Sequence, residues 1–568
     1  MNSFALSVLL ALAPFLLPFS ALAQTSDAFP TINLGYARHA ATYTNLTSAN
    51  LTYGTYANIR FAQPPIGPLR FRAPVTPPPI SAEVQTGLVP INSTNCLQAI
   101  PSYFPAPLPI NGTSWGSEDC LFLDVIVPAG LNASSPAPVL HWLYGGGFFY
   151  GAKDWSGNPA ALLATADAAT EPFIIVASNY RLGALGWMSS ETEPELGVNI
   201  GLYDAQAALQ WTRQYIGLFG GDPERVTVMG QSAGAGIVEH LLAAGVGGQQ
   251  GGLFQQAVLS SPGYRPHVNR SLEMTEIYKM FLNATGCADV ECLRGLSEED
   301  LAAGNAYLLM DTQPEGWIGP SISFGPVIDR QLVKSLPDWV LNETDVGAGG
   351  VRRIIAGGMK NDGVASIVAH PTSWTELLDI FARTPTNSTL EALEEMYGTY
   401  MNQTSFTPDG DITPTPFDEA CGELIYTCHS YFPAKTFSNN SGGSHTARLR
   451  RRQTWQSEQT RSYRYEMSIL PALHGQDLSY YFYDDVVAAA DPTVNASVAA
   501  TLQSYLRSFI LGHELDGWPE YSSEGLERPS WVNITASGFE PVVGEDEAVT
   551  AERCQRLIEL FGNGDDGW

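Results

Sequence analysis

Arg225-Val226-Thr227-Val228-Met229-Gly230-Gln231-Ser232-Ala233-Gly234 runs from a β-rich apolar stretch directly into a G-x-S-x-G pattern, and Ala235 to Ala244 after it reads as a helix. Glycines on both sides of a serine permit a tight strand-to-helix turn with close backbone approach. Such a turn holds the hydroxyl up at the C-terminal edge of a sheet, where the N-terminus of the next helix favours developing negative charge. Five residues of pattern are weak by themselves. The strand–turn–helix setting makes Ser232 a candidate nucleophile.

Further short apolar runs flank this unit: Val139-Leu140-His141-Trp142-Leu143, Phe173-Ile174-Ile175-Val176-Ala177, Gln256-Ala257-Val258-Leu259 and Arg353-Ile354-Ile355-Ala356. They read as buried strands of a largely parallel sheet. Between the second and the Ser232 unit, Leu202, Ala205, Leu209, Ile216 and Phe219 recur near helical spacing. Strand, helix, strand succession predicts an α/β fold with a doubly wound, mostly parallel central sheet, helices on both faces and long loop insertions. No 20–50-residue repeat and no long linker divides the chain, so residues 24–568 read as one domain. The clearest insertion is 436–464. It opens on a Ser/Asn/Gly stretch, and from Arg448 to Arg464 it holds six Arg against one Glu. A solvated loop is the plain expectation; a processing site at Arg450-Arg451-Arg452 or a contact for an anionic partner is the alternative.

The termini and composition set the compartment. Residues 1–23 carry no Asp, Glu, Lys or Arg, contain an apolar run from Phe4 to Phe19, and end in Ala21-Leu22-Ala23, which reads as a signal peptide cut before Gln24. The run is short for a bilayer span and no other stretch approaches 18 apolar residues, so stable membrane insertion is not expected. Thirteen Asn-x-Ser/Thr sequons, from Asn45 to Asn533, point to N-linked glycans on a secreted, extracellular protein. The seven cysteines suit an oxidising compartment, with Cys96/Cys120 and Cys287/Cys292 spaced as two local loops. Which two of Cys421, Cys428 and Cys554 pair, if any, the spacing leaves open. A formal net charge of −29 argues against nucleic acid and anionic membrane surfaces as partners.

Tyr144-Gly145-Gly146-Gly147-Phe148 follows the Val139–Leu143 run. Three glycines there free backbone N–H groups to approach a carbonyl oxygen, as an oxyanion hole requires. With this loop in place, the stretch Phe219-Gly220-Gly221-Asp222-Pro223-Glu224 through Gly234 resembles the serine signature of type-B carboxylesterases, the α/β-hydrolase family that includes cholinesterases and some fungal lipases. Glu118-Asp119-Cys120-Leu121-Phe122-Leu123-Asp124-Val125 is similar to a second signature, with Phe122 where Tyr or Thr is usual. Asn179-Tyr180-Arg181-Leu182-Gly183, Gly201-Leu202-Tyr203-Asp204 and Phe324-Gly325-Pro326-Val327-Ile328-Asp329 also look like family segments.

The resemblance implies a serine carboxylic ester hydrolase whose triad follows the order Ser, acid, His. His474, in His474-Gly475-Gln476-Asp477-Leu478, matches the histidine segment. Asp362, in Met359-Lys360-Asn361-Asp362-Gly363, matches the acid segment, where Glu is commoner; Asp329 is the fallback. Backbone N–H groups of Gly146, Gly147 and Ala233 would hold the oxyanion. Such chemistry needs no metal or organic cofactor, and its partner is a small-molecule ester. By resemblance the Cys96–Cys120 loop borders the gorge, and its Ile100, Tyr103, Phe104, Leu108, Ile110 and Trp115 would either take an acyl or aromatic group or pack as a surface flap. Gln231 stands where the family usually has Glu, which argues against choline esters. Two rivals are a triglyceride lipase, for which the 23 residues inside the Cys96–Cys120 loop are short for a helical lid, and a non-catalytic adhesion protein, for which a broken triad is expected.

Overall fold

The five apolar runs become five neighbouring strands in the computed structural model of the protein. It describes residues 29–562 except 49, 91–92, 101–113, 132–134, 156, 165–169, 248–251, 267–269, 310–323, 344–350, 365–372, 381–385, 399–404, 407–411, 439–459, 523–528 and 544. The expected signal peptide, the triple arginine 450–452, the sequons at Asn92, Asn111, Asn132, Asn269, Asn402 and Asn439, and Tyr103, Phe104, Leu108 and Ile110 of the gorge loop therefore lie outside the described residues.

The central sheet has eleven strands: β1 Tyr43–Leu46, β2 Thr52–Arg60, β3 Phe122–Pro128, β4 Ala137–Leu143, β5 Ile174–Ser178, β6 Gly221–Gln231, β7 Gln256–Ser260, β8 Arg353–Met359, β9 Arg461–Met467, β10 Pro529–Thr535 and β11 Gly538–Val543. Their spatial order is β11-β10-β9-β8-β7-β6-β4-β5-β3-β2-β1. Pairing is parallel from β10 through β5 and antiparallel at both edges. Helices flank it, among them α1 Ile200–Tyr215, α2 Ala233–Ala243, α3 Pro337–Glu343, α4 Cys428–Phe437, α5 Ala496–Leu511 and α6 Glu545–Gly562. Strands covered on both faces must be apolar throughout. Accordingly β4, β5 and β7 are buried at every residue.

The expected insertion 436–464 is narrower than its composition suggests. Thr436, Phe437 and Ser438 are buried at the end of α4, and Arg461–Arg464 opens β9. Alternating polar residues hid this strand, because Arg461 spends its charge on Glu514 and Glu520 while Tyr463 and Tyr465 fill the core.

Two buried ion pairs explain family segments that carry no chemistry. Arg181, just past β5, donates from Nε and Nη2 at 2.7 Å each to the two carboxylate oxygens of Asp204 on α1, and its backbone N–H adds a third bond at 3.1 Å. Arg70 grips Glu118 the same way, at 2.7 and 2.6 Å. Disulfides join Cys96–Cys120, Cys287–Cys292 and Cys428–Cys554, which leaves Cys421 as a buried free thiol. Among the described residues no helix is long and apolar enough to cross a membrane.

Because both members of the Arg181–Asp204 pair are buried, removing one strands the other's charge. Asp204→Ala is expected to lower the unfolding free energy by about 3–5 kcal/mol. Urea denaturation followed by fluorescence measures this, and a loss below about 1 kcal/mol, the range of an exposed pair, would contradict the assignment.

Candidate active site

Strand β6 ends at Gln231, and Ser232 turns the chain into α2 with φ 55° and ψ −128°, a conformation that non-glycine residues rarely adopt. Strain of this kind costs about 1–3 kcal/mol and persists only where neighbours over-determine it. Here they do. Ser232 N–H donates to the Ser260 carbonyl, and the Ser232 carbonyl accepts from the N–H groups of Gly236 and Gly263, all at 2.9 Å. The turn is so tight that a Cβ on Gly234 would stand 2.2 Å from the Leu143 carbonyl oxygen, and one on Gly230 2.4 Å from the Gly234 carbonyl carbon. Both clashes are with backbone, so only glycine fits.

The candidate acid and base come from segments after strands further along the sheet, beyond β7. Asp362 sits in the turn after β8, and His474 in the loop after β9. The two loops are zipped together, with Asn361 N–H donating to the Ala472 carbonyl at 3.0 Å and Asn361 Nδ2 to the Pro471 carbonyl at 2.8 Å. This brings His474 Nδ1 to 2.7 Å from Asp362 Oδ1 and His474 Nε2 to 2.8 Å from Ser232 Oγ. The shorter Asp thus reaches the imidazole. Its other oxygen accepts from the Ser261 hydroxyl and the Met359 N–H, both at 2.9 Å. Asp362 is 2% exposed and Ser232 8%. Held by these donors, the Asp362 carboxylate orients the imidazole so that Nε2 faces the Ser232 hydroxyl.

Asp329 is elsewhere. Its carboxylate accepts from Asn199 Nδ2 and from the N–H groups of Gln331 and Val333, at 2.8–2.9 Å, which makes it the anchor of its own turn. His141 is a core residue held between Thr212 and Ser178, and burial pushes its pKa down to about 3.

Gly145 lies against Ser232: a Cβ there would be 2.8 Å from that of the serine. Gly146 and Gly147 follow with φ 118° and 59°, and among the described residues their N–H groups have no acceptor. Ala233 opens α2, where helix N–H groups lack intrahelical partners. On the far side of the glycine loop, Tyr150 meets Trp155 edge-on at 5.9 Å, and Trp155 meets Trp115 at 6.1 Å. Trp115 thus belongs to an aromatic wall, whereas Ile100 is buried in the core. No cluster of metal-ligating side chains lies at this site among the described residues.

Three participants carried no readable signal. Ser261 needs the β7–β8 register to be seen. Tyr426 lies in the π-turn Glu423–Thr427 and places its ring 4.2 Å from the His474 ring; such turns recur at functional sites. Asp477 stood in the quoted histidine segment without an assigned role. Its Oδ2 accepts from the Ser260 and Tyr465 hydroxyls, while Oδ1 is buried without a partner.

These contacts sit on a recognisable scaffold. The profile of the carboxylesterase family matches residues 30–548. The chain belongs to that family. It is 30% identical over 553 residues to carboxylesterase patB of Aspergillus clavatus, covering 89% of this chain and 91% of the relative. It is also 32% identical over 335 residues to mouse cholinesterase, covering 56% and 51% of the two chains. Among solved structures, EstA of Aspergillus niger shares the fold at TM-score 0.70 and 24% identity, covering 94% of this chain and 98% of that one. A thermophilic pNB esterase does so at TM-score 0.64 and 22% identity, covering 93% and 100%.

Burial raises the Asp477 pKa to about 6, opposed by the Ser260 hydrogen bond and reinforced by the Asp362 charge. The folded pKa exceeds the unfolded one, so the stability from this group is complete below about pH 4 and is lost as pH rises through 6. A shift of that size corresponds to about 3 kcal/mol. Asp477→Asn should flatten this part of the stability–pH curve, as chemical denaturation at pH 4, 5, 6 and 7 would show; parallel curves for the two proteins would refute the shift.

Proposed function

We propose that this carboxylesterase-family chain is a secreted serine hydrolase that cleaves small to medium soluble carboxylic esters through an acyl-enzyme. The observation that carries the reading is the continuous hydrogen-bonded run from Asp362 through His474 to Ser232, beside two glycine N–H groups without acceptors.

The chemistry follows from that geometry. His474 Nε2 takes the Ser232 proton as Oγ attacks the ester carbonyl carbon, and Asp362 stabilises the imidazolium that results. The new C–O bond pushes the carbonyl electrons onto oxygen, where N–H groups of Gly146, Gly147 and Ala233 would receive them. His474 then returns its proton to the alcohol oxygen as that bond breaks, leaving the acyl group on Ser232. Water repeats the two steps and releases the acid. No metal or organic cofactor enters. Gln231, 3% exposed beside the nucleophile, contributes no charge, so a cationic ester gains no ion pair there and neutral esters are favoured. Secretion is supported by the leader-like residues 1–23 and by three disulfides.

The lipase reading draws on a relative, Lipase 2 of Geotrichum candidum, 34% identical over 313 residues. Hydrolysis of p-nitrophenyl esters from acetate to palmitate separates the two. Rates are expected to peak at short to medium chains in the dissolved range; activity appearing only above the solubility limit would establish a lipase instead. Ser232→Ala should lower kcat by about 10⁴-fold or more; equal rates for variant and wild type would overturn the assignment of Ser232, and a wild type that hydrolyses none of these esters would return the chain to the binding-protein reading. Asp362→Asn is expected to lose turnover while Asp329→Asn keeps it, and the reverse result would overturn the assignment of the acid.

A further inference from the structure

Away from the triad, α2, α3 and α4 pack together and bring Glu239, Asp338 and His429 to one buried point. One ligand atom from each lies within 4.8 Å of the other two, and all three residues are at most 5% exposed. Their hydrogen bonding is incomplete in a specific way. Glu239 Oε2 and Asp338 Oδ1 are buried without any donor, and the single donor to the remaining Glu239 oxygen is the Tyr264 hydroxyl at 3.4 Å.

The histidine is oriented by its backbone neighbour. His429 Nε2 lies 3.1 Å from the Tyr264 carbonyl oxygen, which can only accept, so Nε2 carries the proton. Nδ1 lies 2.5 Å from Asp338 Oδ2. Two carboxylates converging in a dry site repel one another unless positive charge lies between them. The same arrangement, an imidazole with one nitrogen pinned to a backbone carbonyl and the other aimed at carboxylates, is the one that orients metal-ligating histidines.

We propose that Glu239, Asp338 and His429 form a structural binding site for one divalent zinc ion. Two carboxylates and a neutral imidazole balance its charge exactly once, and one nitrogen with oxygen donors suits zinc. Tetrahedral zinc needs its ligand atoms about 3.4 Å apart, so side-chain movements of about 1 Å complete the set. A cavity bordered by Asp338, His429, Leu336, Leu557 and Phe561 touches two of the three side chains and has room for a water as fourth ligand. The ion would pin the helix that follows Ser232 to the helix that follows Tyr426, bracing both without touching the reacting atoms.

The test is elemental analysis of the full secreted protein after equilibration with micromolar zinc and passage into metal-free buffer, together with its thermal unfolding. One zinc per chain is expected, with a melting temperature that rises with zinc and falls when a chelator is added. Glu239→Gln and His429→Gln should each weaken zinc binding by at least about 100-fold, since even an outer partner of a ligand contributes 10–100-fold. If these variants do not fold, X-ray absorption of the zinc-loaded wild type decides, with one imidazole nitrogen and oxygen neighbours expected at about 2.0–2.2 Å. Absence of stoichiometric zinc from the wild type, zinc retained by both variants, or a sulfur- or multi-histidine-ligated ion would overturn the proposal. The first of these outcomes would leave a proton shared by Glu239 and Asp338 as the balancing charge.

Discussion

Everything at the C-terminal edge of the sheet depends on the backbone of Ser232 being held at φ 55°. The turn brings the chain so close to its neighbour that Gly234 lies under the Leu143 carbonyl, which is possible because Gly230 and Leu143 are register partners in adjacent parallel strands. That register also decides where β4 ends. The glycines that continue it, Gly145 to Gly147, are therefore delivered beside Ser232. The Ser232 turn and the glycine N–H groups that have no acceptor among the described residues are two outcomes of one strand pairing.

Parallel pairing extends the same logic across the sheet. Gln231 is level with Ser260, Ser260 with Gly357, and Gly357 with Tyr465, so β6 and β7 end at one height and β8 and β9 run two residues beyond it. Ser232, Ser261, Asp362 and His474 come from the segments that follow those levels. Because each loop starts from a buried strand, its first residues are fixed before any side chain contributes. The Asn361 bonds to the histidine loop then set the distance that an aspartate, one methylene shorter than glutamate, has to cover.

Much of this was legible in residues whose surroundings leave little choice. Val139–Leu143, Phe173–Ala177 and Gln256–Leu259 are apolar because both faces of a central parallel strand are covered, and a short apolar run between turns has few other uses. Gly230, Ser232 and Gly234 were legible because backbone contact admits nothing larger. Arg461–Met467 was not, since its Arg and Glu residues reach partners that only the folded chain supplies. Asp329 and Asp362 both read as strand-end acids, and what separates them is long-range: Ser261 and His474 converge on Asp362, while Asp329 folds back on its own turn. Tyr426 is harder still, as a π-turn in a helix pair leaves no periodic trace.

The same distinction separates what the scaffold sets from what the loops set. Attack on a carbonyl needs only groups that the sheet edge holds rigidly, so family members can share it while their ligands differ. Beside that edge stands Gln231, whose amide oxygen lies near Gly145 and whose Nε2 is, among the described residues, a buried donor without a partner, close to Gly475. That nitrogen lies between the glycine loop and the histidine loop, and a buried donor left open costs free energy until an acceptor reaches it.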